Sequence, residues 1–172
     1  MQSDAVKNNS QVKLFLRSWI SFFLVLGLIV IIFRYLFGIV IVSGNSMAPS
    51  LSDGQIIFAN YFLFTPERGD IVIFEEDGVL MIKRVIALPG ETIHITEGQV
   101  LINGKILKEE YITGISQDMP AVTVPEDSYF LIGDNRTPGE SRDSRDPAVG
   151  PVEAFRIKGE AILSIYPFKL IK

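Results

Sequence analysis

Residues 79–86 read V-L-M-I-K-R-V-I, and the way this octet distributes its side chains decides the fold. Successive residues of a strand point to opposite faces, so Met81, Lys83 and Val85 share one face and Ile82, Arg84 and Ile86 the other. Each face carries one cation among apolar side chains, so one of the two must sit on an apolar side or at a sheet edge. On the pattern alone the plainer reading is that both long side chains snorkel to water. The other reading buries the lysine. A buried lysine loses hydration of its charged form, and its pKa falls from about 10.4 by up to several units. It is then neutral near pH 8 and able to act as base for a serine hydroxyl.

On either side of this octet the chain continues as short strands between turn signals. Strands are expected at 38–42, 55–60, 70–74, 80–87, 92–96, 100–103, 105–107, 128–132 and 157–165. Glu97-Gly98 and Asn103-Gly104 are hairpin signals, the second suited to a type I′ turn because both residues tolerate positive φ. Helical periodicity is absent outside the N-terminus, which predicts a mainly β, all-β domain with many non-local pairings. The polar connection 133–151, G-D-N-R-T-P-G-E-S-R-D-S-R-D-P-A-V-G-P, is long enough to be functional or disordered.

Upstream, residues 18–33 read S-W-I-S-F-F-L-V-L-G-L-I-V-I-I-F with no charge. Sixteen helical residues span about 24 Å, and extension to Phe37 gives 20 residues and about 30 Å, the hydrocarbon thickness of a bilayer. Arg34 snorkels to the headgroups. No A-x-A-like cleavage site ends the run, which favours a retained anchor over a cleaved leader. The expected division is a cytoplasmic segment 1–17, a transmembrane helix 18–37 and an extracytoplasmic β-rich domain 38–172. Charge supports that orientation. The first 37 residues hold Lys7, Lys13, Arg17 and Arg34 against Asp4, net +3; the remaining 12 basic and 19 acidic residues give −7. The whole-chain net charge of −4 and mean hydropathy of +0.31 are therefore sums of unlike parts. The acidic part carries no nucleic-acid footprint. With no cysteine and one histidine, disulfides, thiolate nucleophiles, and cysteine- or multi-histidine metal sites are excluded.

Three groups of residues have chemistry to offer. Ser46, in S-G-N-S-M-A-P-S-L at 43–51, lies in a turn marked by Gly44 and Pro49, and taken alone it is an ordinary turn serine. It follows Phe37 by nine residues, so even an extended chain keeps it within roughly 30 Å of the membrane surface. His94, on a strand in I-H-I-T, reads as a surface or hydrogen-bonded histidine unless the fold carries it to Ser46. Asp134, Arg136, Arg142, Asp143 and Arg145 form an ionic cluster that more often pins a loop than catalyses.

Taken in order, S-G-N-S-M-A-P-S-L at 43–51, R-G-D-I-V-I-F at 68–74, M-I-K-R-V-I-A-L-P-G-E at 81–91, and G-D-N-R with S-R-D-S-R within 133–145 resemble the boxes of bacterial type I signal peptidases of the single-anchor kind. The tail V-E-A-F-R-I-K-G-E-A-I-L-S-I-Y-P at 152–167 is similar to that family's last box. The resemblance implies a Ser-Lys serine peptidase with Ser46 as nucleophile and Lys83 as general base. It further implies that Ser141 orients the lysine, that Asp143 and Arg145 form a supporting ion pair, and that Asp134 faces Arg84. The oxyanion donors implied are backbone groups of the turn at Gly44 and Ser46, or Ser43. Three departures stand out: two extra residues in T-P-G-E at 137–140, Met81 where tyrosine is common, and Ala87 where glycine is common. The eukaryotic ER enzyme, with histidine in the place of Lys83, is excluded.

The implied activity is cleavage of signal peptides from exported preproteins after small residues, in the bacterial cytoplasmic membrane. No cofactor or metal is expected. The expected partners are preproteins, the lipid bilayer and, transiently, the export translocon; nucleic acid is not among them. Two alternatives remain at this level: a Ser-Lys peptidase dedicated to one secretion or conjugation apparatus, and a non-enzymatic anchored β-module.

Overall fold

A computed structural model describes residues 2–62, 64–166 and 168–171. The chain divides into two compact units, 1–36 and 37–172. The first is a single helix, α1 (Gln2–Leu36). Its stretch Arg17–Leu36 has mean hydropathy 2.3 and none of it is buried in protein, which suits a segment solvated by lipid. The helix starts well before the expected span and ends one residue earlier. Phe37 opens the first strand instead, because the run F-G-I-V-I is β-branched and glycine-broken where a helix would have to continue.

The second unit holds twelve strands among the described residues: β1 (Phe37–Ile41), β2 (Ile56–Asn60), β3 (Ile71–Glu76), β4 (Val79–Ala87), β5 (Thr92–Thr96), β6 (Gln99–Ile102), β7 (Lys105–Ile106), β8 (Met119–Thr123), β9 (Ser128–Ile132), β10 (Val152–Glu153), β11 (Ile157–Tyr166) and β12 (Lys169–Leu170). A short 3-10 turn, Ala154–Arg156, precedes β11. The larger sheet runs β1-β2-β11-β3-β4-β9-β10 with β12 on β11, and the smaller runs β7-β6-β5-β8. Every ladder is antiparallel. Counting along the larger sheet, β1 and β4 therefore point the same way.

Both expected hairpin turns form, with φ of 52° and 74° at Glu97-Gly98 and 51° and 76° at Asn103-Gly104. Asp77-Gly78, with φ of 50° and 76°, closes a third turn of the same kind between β3 and β4. β8, which contains Pro120, lies outside the expected strands. The proline is tolerated because β8 is an edge strand whose pairing with β5 is interrupted between Ile93 and Ile95.

The core comprises three clusters. Ile86, Ile93, Ile95, Val100, Phe130 and Ile132 join the small sheet to the large one. Val72, Phe74, Val85, Leu131, Val152 and Ile157 pack on the same side of β4 as Met81. Val42, Met47, Leu51, Ile57, Ile71 and Ala161 form the third, and this one sets the position of Ser46. Met47 and Leu51 are almost wholly buried, so the turn between them is nailed down by its apolar flanks.

Candidate active site

The Ser46 turn is closed by backbone bonds at its base and crest. The Val42 N–H donates to the Gln55 carbonyl and the Gly54 N–H to the Val42 carbonyl, both at 2.9 Å; the Leu51 N–H donates to the Met47 carbonyl, also at 2.9 Å. Gly44 has φ +86°, a conformation that favours glycine. Its N–H donates to Asp53 Oδ1 at 2.7 Å.

Lys83 comes to this turn from the middle of β4. Its Nζ lies 2.9 Å from Ser46 Oγ and 2.9 Å from the Ile82 carbonyl. The residue is 3% exposed and Arg84 2%, so the snorkelling expected from the pattern does not occur. Both cations are buried because each finds its own polar setting on its side of the sheet. Burial pushes the Lys83 amine down from 10.5 to about 8, with Asp143 and Asp134 pulling upward and Arg145 pushing further down.

Arg84 turns the other way into a buried ion pair. Its Nε and Nη2 donate to the two oxygens of Asp134 at 2.9 and 2.6 Å, Nη1 donates to the Gly69 carbonyl at 2.6 Å, and Nη2 also reaches Ser50 Oγ at 3.2 Å. The face of Tyr111 stacks on the guanidinium, 4.0 Å from ring centroid to Cζ. Every buried donor here has an acceptor, which is what makes such a pair tolerable; removing one partner of a buried pair costs about 3–5 kcal/mol.

The 133–151 connection is not a solvated loop, since Asp134, Arg136 and Asp143 are buried. Asp143 receives Arg145 through Nε and Nη2, both at 2.8 Å, the Gly133 N–H at 3.0 Å and the Ser141 hydroxyl at 2.6 Å. Burial alone would raise the Asp143 pKa, but the Arg145 hydrogen bonds and charge, with the Gly133 and Ser141 donors, hold it below the usual carboxylate range. Ser141 gives its hydrogen bond to Asp143, and Lys83 Nζ bonds Ser46 and Ile82 rather than Ser141. Asn135 clamps the turn: its N–H donates to the Ser46 carbonyl at 3.0 Å and its Nδ2 to the Asn45 carbonyl at 3.2 Å.

Beside Ser46 runs a groove of about 570 Å³ walled by residues 40–47 on one side and 79–83 on the other. Among the described strands β1 pairs with β2, and residues 79–83 of β4 pair with β3, so the 79–83 wall is an open strand edge and the facing wall is the end of β1 with the turn that follows it. Glu140 and Arg142 stand at its rim, and Arg142 Nη2 reaches Asp77 Oδ2 at 3.1 Å. Ser43 and Gly44 also line the groove and are exposed.

The structure thus gathers Ser46, Lys83, Ser141, Asp143 and Arg145, with Arg84 and Asp134 behind them. His94 lies on β5 in the small sheet, outside the groove lining. Tyr111, Glu109, Ser50 and Asn135 join the site without having been expected there: Asn135 and Ser50 lie inside the family motifs, whereas Tyr111 and Glu109 have no local signal beyond an acid and a tyrosine two residues apart. Among the described residues no group of three or more His, Cys, Asp or Glu side chains converges to hold a metal ion.

Residues 16–166 match the family model described as "Signal peptidase, peptidase S26". A signal peptidase I of Bacillus amyloliquefaciens is 34% identical over 159 residues, covering 84% of each chain. Signal peptidase I S of Bacillus subtilis strain 168 is 33% identical over 82% of this chain and 83% of that relative. Signal peptidase I P of Bacillus subtilis subsp. natto is 34% identical over 90% and 91%. A crystal structure of a signal peptidase I from Enterococcus faecalis V583 aligns at 32% identity over 57% of this chain and 97% of that one, with a TM-score of 0.49. The chain belongs to the signal peptidase family, peptidase S26.

Proposed function

We propose that this chain is a membrane-anchored serine endopeptidase that removes signal peptides from exported preproteins, cutting after small side chains, with Ser46 as nucleophile and Lys83 as general base. The observation that carries the roles is a lysine with a pKa near 8 held 2.9 Å from a turn serine, in a chain whose relatives are signal peptidases.

The neutral amine of Lys83 takes the proton of Ser46 Oγ as that oxygen attacks the scissile carbonyl. The tetrahedral oxyanion is met by the backbone N–H of Ser46 and a neighbouring turn donor. Gly44 supports this through its backbone geometry, since its own N–H is held by Asp53; Ser43, which lines the groove, is the proposed side-chain donor. The Lys83 ammonium then protonates the departing amine, leaving an acyl-Ser46. Water, losing its proton to the again-neutral lysine, hydrolyses the ester and restores both groups.

Asp143 sets the charge balance around Lys83, with Arg145 and Ser141 holding its carboxylate in place; Ser141 acts on the lysine through that carboxylate. Arg84 and Asp134 support the turn from behind. The substrate enters as an added strand in the groove, its amides pairing with the open edge and small side chains fitting shallow apolar hollows. α1 crosses the bilayer once with its basic N-terminus in the cytoplasm, and residues 37–172 lie outside, near the lipid surface and transiently near the translocon.

The test is cleavage of a purified precursor with N-terminal sequencing of the product. Ser46→Ala and Lys83→Ala are each expected to lower the rate by at least about 10³-fold while the domain stays folded. Parental activity in folded Lys83→Ala protein would overturn the dyad.

A further inference from the structure

The segment between β7 and β8 contributes a second buried network that stops one residue short of Ser46. Glu109 lies at its centre: one oxygen accepts the Tyr111 hydroxyl at 3.0 Å, and the carboxylate pairs with Arg136 through Nη1 at 3.0 Å and through Nη2. Arg136, wholly buried, donates Nε to the Gly133 carbonyl at 2.8 Å. Backbone pairing runs alongside, with the Thr113 N–H on the Asp134 carbonyl at 3.1 Å and the Arg136 N–H on the Thr113 carbonyl at 2.7 Å. The strip so fixed, 133–136, is the one whose Asn135 N–H holds the Ser46 carbonyl. From its other side Tyr111 covers Arg84, the neighbour of Lys83 on β4. One carboxylate and one ring therefore touch both halves of the site without touching Ser46 or Lys83.

We propose that Glu109 and Tyr111 are positioning residues for catalysis, holding the Ser46 turn and the middle of β4 at Arg84 at the separation the proton transfer needs; this rests on the reading of Ser46 and Lys83 as the reacting pair. A displacement of about 1 Å at such a pair costs on the order of 100-fold in rate, which is the scale of effect available to residues that only hold the frame.

The experiment uses the full chain in detergent micelles, measuring kcat and KM on a precursor peptide across pH 6–10 alongside thermal midpoints. Tyr111→Phe keeps the ring over Arg84 and loses the bond to Glu109; its kcat is expected to fall about 3- to 10-fold. Glu109→Gln and Tyr111→Leu are expected to fall by about 30-fold or more, with KM within twofold and the midpoint of the alkaline-rising limb unmoved. A merely structural role would lower the thermal midpoint and leave kcat per folded molecule at the parental value, and that result overturns the proposal, as does a loss confined to KM. If Glu109→Gln does not fold, Tyr111→Phe decides alone. Ser46→Ala and Lys83→Ala are assayed in parallel. Activity in those two sinks the dyad itself, whereas inactivity there with parental kcat in the Tyr111 and Glu109 variants sinks only this inference.

Discussion

Lys83 carries a stability cost together with its proposed role. Its amine titrates at about 8 in the folded chain against 10.5 for the free side chain. Between those values the unfolded chain binds the proton that the folded one has released, so this residue makes stability rise with pH from 8 to 10.5. Below pH 8 the full penalty applies, on the order of 3 kcal/mol at 1.36 kcal/mol per pKa unit. Lys83→Met, similar in volume and without a charge to desolvate, is expected to be inactive yet more stable than the parent at pH 7. The gain should shrink as pH approaches 10.5, and denaturant melts of both proteins at pH 7 and 10 check it. With Lys83 as the proposed base, the rate of the parent should rise with pH through a midpoint near 8. A flat profile down to pH 5 contradicts that assignment.

At the scale of elements, the site is a junction of three chain segments: the turn after β1, the middle of β4 and the connection after β9. Gly133 marks a close approach of the first and the third, because a Cβ there would lie 2.3 Å from Ser141 Oγ and 2.4 Å from the Ser46 carbonyl oxygen. Gly133→Ala is expected to cost about 1–3 kcal/mol through overpacking and to lower kcat by more than the folded fraction explains. Comparing chemical denaturation with the rate per folded molecule separates the two effects.

How much of this junction was legible follows from which interactions are local. The alternation around Lys83 and Arg84 placed them on opposite faces of one strand, and glycine pairs marked two of the hairpins, because both are properties of neighbouring residues. The Asp77-Gly78 turn is equally local, a pair of the same kind between two strands. Whether Lys83 was buried or snorkelled was not local: it depended on Ser46, 37 residues away. The same holds for Asp134, which meets Arg84 across 50 residues, and for Arg136, which meets Glu109 across 27. Only the ordered family motifs anticipated that Ser46 and Lys83 would meet, and they said nothing of Tyr111. β8 lay outside the expected strands, and its Pro120 is compatible with pairing only because the strand is an edge, which is a property of the sheet and not of the local sequence.

For the whole molecule, charge and hydropathy divide at the same place as the fold. The +3 segment coincides with the apolar helix and the −7 remainder with the β domain. That asymmetry predicts that protease added to right-side-out bacterial membrane vesicles digests residues 37–172, while the same protease added to inside-out vesicles trims only the N-terminus. Immunoblots against tags at the two ends read the outcome, and protection of the β domain in right-side-out vesicles would reverse the orientation.

Because β1 and β4 run in the same direction on the two walls of the groove, a peptide lying between them bears one relation to both, parallel to both or antiparallel to both. Reversed end for end, it presents its N–H groups and carbonyls out of step with both walls at once. The slot therefore has a grain. On the proposed strand-addition mode, two segments of identical composition written in opposite orders are unequal ligands, and the direction of the chain counts before any side chain does.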